Sequence, residues 1–427
     1  MRRTILLSLF LVLLADQMFG WGLGLAPGLS VKNAYLYAIF AIILLEGVIN
    51  KQEIRFDAMA IHAPFLLLIV LAIISVLYVG IVVELTGYRL LRGLVTVKNN
   101  LVDHYLFFIV FCYGLRSTRD VLWLGKAMLV IIALANFITL VDLYNIPNLG
   151  LIGDFNGRVE GPLGQPNEYG GLLAFFVPLL IGAVFNLSGF GRLVFVGSAL
   201  VGLGMLILSG SRGAYVGLVF GALLSVIALR GVVRSAIVVK WALAFSIILS
   251  LTILVIYIQY PEVMQERFEK STDSNLDTVS SNRTWIWASA LGVMMQDPIS
   301  FLTGFGWNSF NLFRIQTDPH NTYLYYLFSL GIAGLVGFFF LVRNIVKFVA
   351  DTARITHGPL RTEMTSFVFG FMAVLVAIFF TVLYKPWPFV WAYVGLAVRL
   401  CLNERIEHMA SQQRARFESE GLIRQPV

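Results

Sequence analysis

Long apolar segments alternate with short polar segments along most of the 427-residue chain. A helix needs about 20 apolar residues to cross the hydrocarbon core of a bilayer, and many of these segments are that long. A transmembrane barrel would instead show shorter segments of alternating polarity. The pattern therefore predicts an all-α polytopic membrane protein with twelve transmembrane helices. The predicted spans are 4–19, 34–50, 59–83, 101–115, 121–143, 169–187, 193–209, 213–229, 237–258, 321–342, 366–384 and 387–402.

The composition agrees with this class. Hydrophobic residues make up 58% of the chain and charged residues 13%, which is about half the usual charged fraction of soluble domains, roughly 25%. Cys112 and Cys401 lie far apart in apolar segments and provide neither a disulfide framework nor a metal-binding spacing. The net charge of +7 comes from basic residues scattered between spans, so it does not indicate a nucleic-acid partner.

Lysine and arginine are enriched on one side of the predicted bundle. With the N-terminus in the cytoplasm, 19 basic residues fall in inner loops and tails and 7 in short outer loops. Cytoplasmic loops carry the positive excess in membrane proteins, so we predict that both termini are cytoplasmic. The chain then divides into spans one to nine (1–258), an outer helical loop (259–320), spans ten to twelve (321–402) and a basic cytoplasmic tail (403–427).

One outer segment, GYRLLRGLVTVKNN at residues 87–100, is basic in spite of this bias. Two interpretations remain open for it. The segment is either an amphipathic helix at the membrane interface or a site that attracts an anionic lipid head group.

The outer loop between spans nine and ten contains its own helical segments. YPEVMQERFEK at 260–270 begins with a proline that suits a first helical turn, and STDSNLDTVSSN at 271–282 is polar. SSNRTWIWASALGVMMQDP at 280–298 predicts a second helix, capped by Ser281 or Asn282 and ended by Asp297 and Pro298. GFGWNSF at 304–310 predicts a turn rich in glycine and aromatic residues.

Two arginines occupy predicted helix starts on the outer side. Arg212 follows a candidate N-cap, Ser211, at the start of span eight, and Arg283 lies in the first turn of the loop helix. Free backbone N–H groups and a partial positive charge at a helix start, together with a guanidinium fork, suit a phosphate or pyrophosphate. The alternatives are snorkelling of Arg212 to the interface and a solvated loop charge at Arg283.

A third arginine, Arg158, lies in the outer loop GDFNGRVEGPLGQPNEYGG at 153–171, which leads into span six. It is a weaker candidate for the same anion. The alternative is a turn-forming loop in which Arg158 pairs with Glu160.

Histidine is the usual general base near neutral pH. Of the five histidines, only His104 and His320 are predicted to face outward. His320 lies in TDPHNTYLYYLFSLGIAGLVGFFFL, between the polar loop and span ten, and Asp318 is positioned to orient its ring. The alternative for His320 is an ordinary hydrogen-bonded residue.

Taken together, these motifs resemble the O-antigen ligase and O-antigen polymerase superfamily. The resemblance rests on GRVEGPLGQPNEYGGLLAFFVPL, LSGSRGAYVGL, SNRTWIWASAL, DPISFLTGFGWNSF and DPHNTYLYYLFSLGIAGLVGFFFL in that order, from about 153 to 342. The twelve-span layout with one large outer loop extends it over the rest of the chain.

The resemblance implies a metal-independent, inverting glycosyltransferase of the multi-span, GT-C-like kind, with no cofactor. Such enzymes transfer a glycan from undecaprenyl pyrophosphate to an acceptor hydroxyl on the periplasmic side of the bacterial inner membrane. By motif position, His320 becomes the catalytic base, while Arg212, Arg283 and, less directly, Arg158 bind the pyrophosphate. The implied acceptor is lipid A-core or another glycan, with membrane lipids around the protein.

Several alternatives stay open. We expect a ligase-like activity, with a polymerase of O-antigen, capsule or exopolysaccharide as the close alternative. The lack of an appended soluble domain disfavours a protein-glycosylating relative. An anion transporter would place its charged site near the middle of the membrane and often shows repeated halves, and a flippase needs charges along a central path. The polar residues here gather at one face instead.

Overall fold

The computed structural model describes residues 2–20, 24–26, 28–49, 58–143, 154–155, 158–233, 282–313, 315 and 318–419, with isolated positions at 250, 254, 257, 258 and 280. In this part of the chain the protein is mostly helical, as predicted.

The first six helices form the N-terminal half of the described bundle. Two π-helical turns, Tyr78–Val82 and Lys98–Val102, extend the third helix and lead into the fifth. The helices are α1 (Arg2–Phe19), α2 (Val31–Ile49), α3 (Met59–Leu77), α4 (Leu90–Val97), α5 (Asp103–Tyr113) and α6 (Thr118–Leu143).

Eight further helices follow, with two small antiparallel ribbons among the described residues. The helices are α7 (Pro166–Phe185), α8 (Gly189–Leu208), α9 (Arg212–Ala228), α10 (Arg283–Gln296), α11 (Ser300–Thr303), α12 (Thr322–Ile355), α13 (Gly358–Ala377) and α14 (Trp387–Ser419). The ribbons pair β1 (Gly24–Ala26) with β2 (Leu29–Ser30), and β3 (Asp154–Phe155) with β4 (Arg158–Val159). Single 3₁₀ turns lie at Gly161–Leu163 and Phe310–Phe313.

Six of the described helices are long and apolar enough to cross a membrane. These are Met59–Val82, α6, α7, α8, α12 and α13, and α9 is a shorter apolar helix of the same character. The protein is therefore a helical membrane protein with several candidate spans. The total of twelve spans stays a prediction, since most of the predicted ninth span, 237–258, lies outside the described residues, as does the predicted helix at 260–270.

Three helices at the C-terminal end have different bounds from the predicted spans. α12 continues to Ile355, α13 begins at Gly358 and ends at Ala377, and α14 continues to Ser419, well into the predicted tail. An apolar run marks only the part of a helix that lies in hydrocarbon. Arginine, glutamate, glutamine and alanine, which are frequent in 403–419, continue a helix into water without an apolar signal.

α13 packs closely against α7 and α9, because glycines at the contacts let the helix backbones approach each other. A Cβ at Gly221 of α9 would lie 2.4 Å from Ala373 Cα, and a Cβ at Gly370 would lie 2.2 Å from the carbonyl oxygen of Phe175 in α7. Small residues at such contacts are how helices pack tightly in lipid. Consequently α7, α9 and α13 form one closely packed group.

α12 is broken near its start, at Gly331. This residue has φ 69° and ψ −168°, and a Cβ there would lie 2.4 Å from the carbonyl oxygen of Leu302. The break exposes carbonyl groups that the preceding loop satisfies: Phe305 N–H donates to Phe328 O (2.8 Å) and Gly306 N–H donates to Ser329 O (3.1 Å). The short half-helix 322–330 is thereby locked against the turn at 304–306.

The basic segment 87–100 lies beside that same turn. The Tyr88 hydroxyl donates to the carbonyl oxygen of Trp307 (2.8 Å), and Lys98 Nζ pairs with Asp103 Oδ2 (2.9 Å). Arg89 and Arg92 are exposed. A short helix therefore forms here, as the interfacial interpretation requires, and attraction of an anionic head group stays a prediction.

Replacing Gly331 by alanine is expected to destabilise the protein, because the new Cβ meets Leu302 O and the positive φ disfavours any side chain. The expected cost is roughly 1–3 kcal/mol. Gly204→Ala in α8 is the matched control, since its Cβ would meet no atom within 4 Å. The midpoint of thermal unfolding in detergent should fall for Gly331→Ala only. Equal midpoints for the two variants would contradict the requirement for glycine at the break in α12.

Candidate active site

Arg212 is the first residue of α9. Ser211 occupies the N-cap position, as predicted, but its hydroxyl makes no capping bond to the helix. The turn before the helix is instead closed by Ser209, whose Oγ accepts from the Ser211 N–H (3.3 Å) and donates to Leu206 O (2.6 Å). The Arg212 side chain is half-buried at the end of the α7, α9 and α13 group.

Arg158 holds this turn from the side. Its Nε donates to the carbonyl oxygen of Ser209 (2.8 Å), and one terminal nitrogen donates to Asn167 Oδ1 in the first turn of α7 (2.8 Å). These bonds tie together the starts of α7 and α9. Arg158 therefore supports the backbone that presents Arg212.

Arg283 begins α10, and of the two predicted caps Ser281 lies outside the described residues. Asn282 is the N-cap residue but has a left-handed backbone, with φ 62°, and its side chain makes no capping bond. Ser280 takes that role, with its Oγ accepting from the Thr284 N–H (3.3 Å). Because Asn and Asp tolerate a positive φ better than most residues, Asn282 serves as a bend rather than as an acceptor.

The Arg283 guanidinium is held in an unusual environment. Its Nε is buried, and among the described residues it has no hydrogen-bond partner. Burial and, next, the Arg212 guanidinium lower the pKa of Arg283, while the Asp318 carboxylate opposes that shift. A buried N–H donor beside a second cation is a costly arrangement that an anion would relieve.

His320 lies in a tight turn in front of α12. One carboxylate oxygen of Asp318 accepts from the His320 backbone N–H (2.7 Å) and lies 3.0 Å from His320 Nδ1. The backbone of His320 is left-handed, with φ 46°. If Nδ1 carries the proton toward Asp318, Nε2 has a free lone pair for a substrate hydroxyl. The His320 side chain is 32% exposed, so the ring is only partly covered by the surrounding protein.

The half-helix after His320 fixes this turn to the rest of the bundle. Asn321 caps α12, with its Oδ1 accepting from the Leu324 N–H (3.0 Å). Thr322 N–H donates to Ile378 O (2.9 Å), and its hydroxyl donates to Thr381 O (3.0 Å). The end of α13 therefore sets the position of His320 as well as that of α9.

The structure brings the predicted residues into one neighbourhood. Asp318 bonds His320, and its charge acts on Arg283, whose charge in turn interacts with Arg212. Arg158 bonds the backbone turn that precedes Arg212. The other outward-predicted histidine, His104, is buried, lining an internal aromatic cavity.

A buried acid near these groups escaped the sequence analysis. Glu168, in the first turn of α7, is only 8% exposed, and its Oε2 accepts from the Lys385 N–H (2.8 Å). Its charge interacts with that of Asp318. The motif QPNE contained a signal for the helix start, because Gln165 caps α7 by accepting from the Glu168 N–H (2.6 Å), which places Glu168 in the first turn of the helix.

Among the described residues, no group of three or more histidine, cysteine, aspartate or glutamate side chains converges as a metal site would. The charged or titratable side chains of the neighbourhood are the guanidiniums of Arg158, Arg212 and Arg283, the His320 imidazole and the carboxylates of Asp318 and Glu168. This set suits an anionic ligand and a proton transfer.

Comparison with known proteins agrees with the motifs. None of the curated proteins compared with the chain matches it. The family model described as O-antigen ligase matches residues 197–339, a range that contains Arg212, Arg283 and His320. This match confirms the predicted resemblance: over residues 197–339 the chain is similar to the O-antigen ligase family.

Proposed function

We propose that the protein transfers a glycan from undecaprenyl pyrophosphate to an acceptor hydroxyl at the outer face of the bacterial inner membrane, with inversion at the anomeric carbon and without a metal ion. The observation that carries this proposal is the pairing of the Arg283 and Arg212 guanidiniums beside the Asp318–His320 pair. The two arginines suit the binding of a diphosphate, and the Asp318–His320 pair suits the removal of a proton from a hydroxyl group.

The arginines would hold the leaving group. A pyrophosphate placed between Arg212 and Arg283 gives the buried Arg283 Nε–H an acceptor and offsets the repulsion between the two cations. As the anomeric C–O bond breaks, negative charge grows on the pyrophosphate oxygen. Fixed guanidiniums stabilise that charge without reorganisation, which lowers the barrier.

His320 would act as the base on the acceptor. Its Nε2 takes the hydroxyl proton while the acceptor oxygen forms the new bond to the anomeric carbon, on the face opposite the departing pyrophosphate. The Asp318 carboxylate, 3.0 Å from Nδ1, stabilises the resulting imidazolium. The proton then leaves to solvent through the exposed edge of the ring.

The proposed acceptor is lipid A-core, which makes the activity ligase-like, and a polymerase that joins glycan repeat units is the alternative within the superfamily. Deletion of the gene followed by gel analysis of surface glycans separates them. Loss of the lipid-linked ladder with unlinked polymer retained supports a ligase, whereas a product with a single repeat supports a polymerase.

An anion transporter is the alternative from another class. The described charges of the neighbourhood lie at helix starts and in loops, whereas transporters usually place their charged site near mid-membrane, and this supports chemistry at the surface. Counterflow of a labelled anion in proteoliposomes would support transport instead, and we expect none.

His320→Ala is expected to reduce glycan transfer by about 10²–10⁴-fold, since the variant lacks the general base. The rate is measured with purified protein and a lipid-linked donor. His408→Ala is the matched control, because His408 lies on the exposed C-terminal extension of α14. Wild-type turnover by the His320 variant would refute the assigned role.

Arg212→Lys and Arg283→Lys are each expected to lose on the order of 10²-fold in kcat, as when one oxyanion donor is removed from an enzyme. Lysine keeps the charge but loses the planar fork that binds two phosphate oxygens. Arg343→Lys, on the exposed surface of α12, should retain full activity. Equal activity of all three variants would show that no guanidinium fork is needed.

A further inference from the structure

Trp287 lies one helical turn after Arg283 in α10, on the same side of the helix. Its indole Nε1–H donates to the carbonyl oxygen of Pro319 (2.7 Å). Pro319 stands between Asp318 and His320. One helical turn of α10 therefore contains Arg283, which is predicted to bind the pyrophosphate, and Trp287, which bonds the loop that holds the predicted base, His320.

The bond from Trp287 acts on the peptide unit of His320. The Pro319 carbonyl and the His320 N–H belong to one planar peptide group and point in opposite directions. Trp287 holds the carbonyl end, and Asp318 Oδ1 holds the N–H end (2.7 Å). The plane of this peptide is thus fixed from both sides.

Such restraint is needed because of the backbone conformation of His320. A φ of 46° is disfavoured for a residue with a side chain and persists only where the surroundings hold it. Loss of either bond would let the turn relax toward an ordinary conformation. The position of the imidazole relative to the rest of the neighbourhood would then change.

The indole ring also contacts the segment that follows α13. Trp287 meets Phe379 edge to face, with ring centroids 5.3 Å apart and an angle of 77°. The neighbouring residue, Ile378, accepts the Thr322 N–H at the start of α12. Trp287 therefore lies where α10, the His320 turn and the end of α13 meet.

We propose that Trp287 is a positioning residue that fixes His320 relative to Arg283, so that the base and the diphosphate ligands keep one geometry. This inference rests on the proposed function of these two residues. Trp287 itself touches no reacting atom in this scheme. Its contribution is to hold the His320 peptide, and a displacement of about 1 Å can cost on the order of 10²-fold in rate.

Trp287→Phe tests the proposal, because it keeps a ring against Phe379 and removes the N–H donor. We expect kcat to fall by about 10-fold or more while KM for the lipid-linked donor changes by less than about 2-fold. The pH dependence of the rate should keep its shape, since the Asp318–His320 pair remains. Trp285→Phe is the matched control on the same helix, with an exposed side chain, and should behave as wild type.

Hydrogen exchange gives a second measurement that does not depend on catalysis. In Trp287→Phe the backbone amides of residues 320–322 should exchange faster than in the wild type, whereas Trp285→Phe should leave them unchanged. Should Trp287→Phe fail to fold, an analogue with sulfur in place of the indole N–H, incorporated at position 287, removes the donor without changing the ring shape.

The outcomes separate the two proposals. Faster exchange at 320–322 together with the loss in kcat supports the positioning role. Unchanged exchange, or faster exchange with an unchanged kcat, overturns it even if glycan transfer is established. If wild-type protein transfers no glycan while exchange still responds, the proposed function fails, and Trp287 merely stabilises the turn.

Discussion

The positive charge of Arg212 acts on the buried Arg283 guanidinium, and this repulsion is the constraint from which the rest of the site follows. Two like charges repel more strongly in a partly buried site than in water, because the effective dielectric constant there is lower. The Asp318 carboxylate offsets part of that repulsion at Arg283. The proposed pyrophosphate would offset the remainder.

Keeping two cations together requires a rigid support, and the helices provide it. Arg212 begins a helix that packs on α13 through glycine, and Arg158 bonds the backbone turn in front of it. His320 precedes a half-helix whose first N–H bonds the end of the same α13. Arg212 and His320 are therefore both held by contacts to α13 and the residue that follows it, which limits their relative motion.

The break in α12 connects this support to the turn at 304–306. Because Gly331 interrupts the helix, the carbonyls of Phe328 and Ser329 accept bonds from that turn. The turn is thereby joined to the first half of α12, and α10 reaches the residue before His320 through the bond from Trp287 to Pro319. Irregular backbone near a membrane is tolerated where its polar groups are satisfied in this way.

Much of this arrangement was predictable from local sequence. Apolar runs indicated the helical membrane class, and helix-start signals located Arg212, Arg283 and His320 at the ends of elements, because capping and hydropathy depend on residues only a few positions apart. Tertiary structure alone decided that the charge of Arg212 acts on Arg283 and that α12 breaks at Gly331. It also decided two hydrogen bonds, from the Lys385 N–H to Glu168 and from the Trp287 indole to Pro319. These contacts join residues distant in sequence, and they depend on how helix surfaces fit together, which no local periodicity encodes.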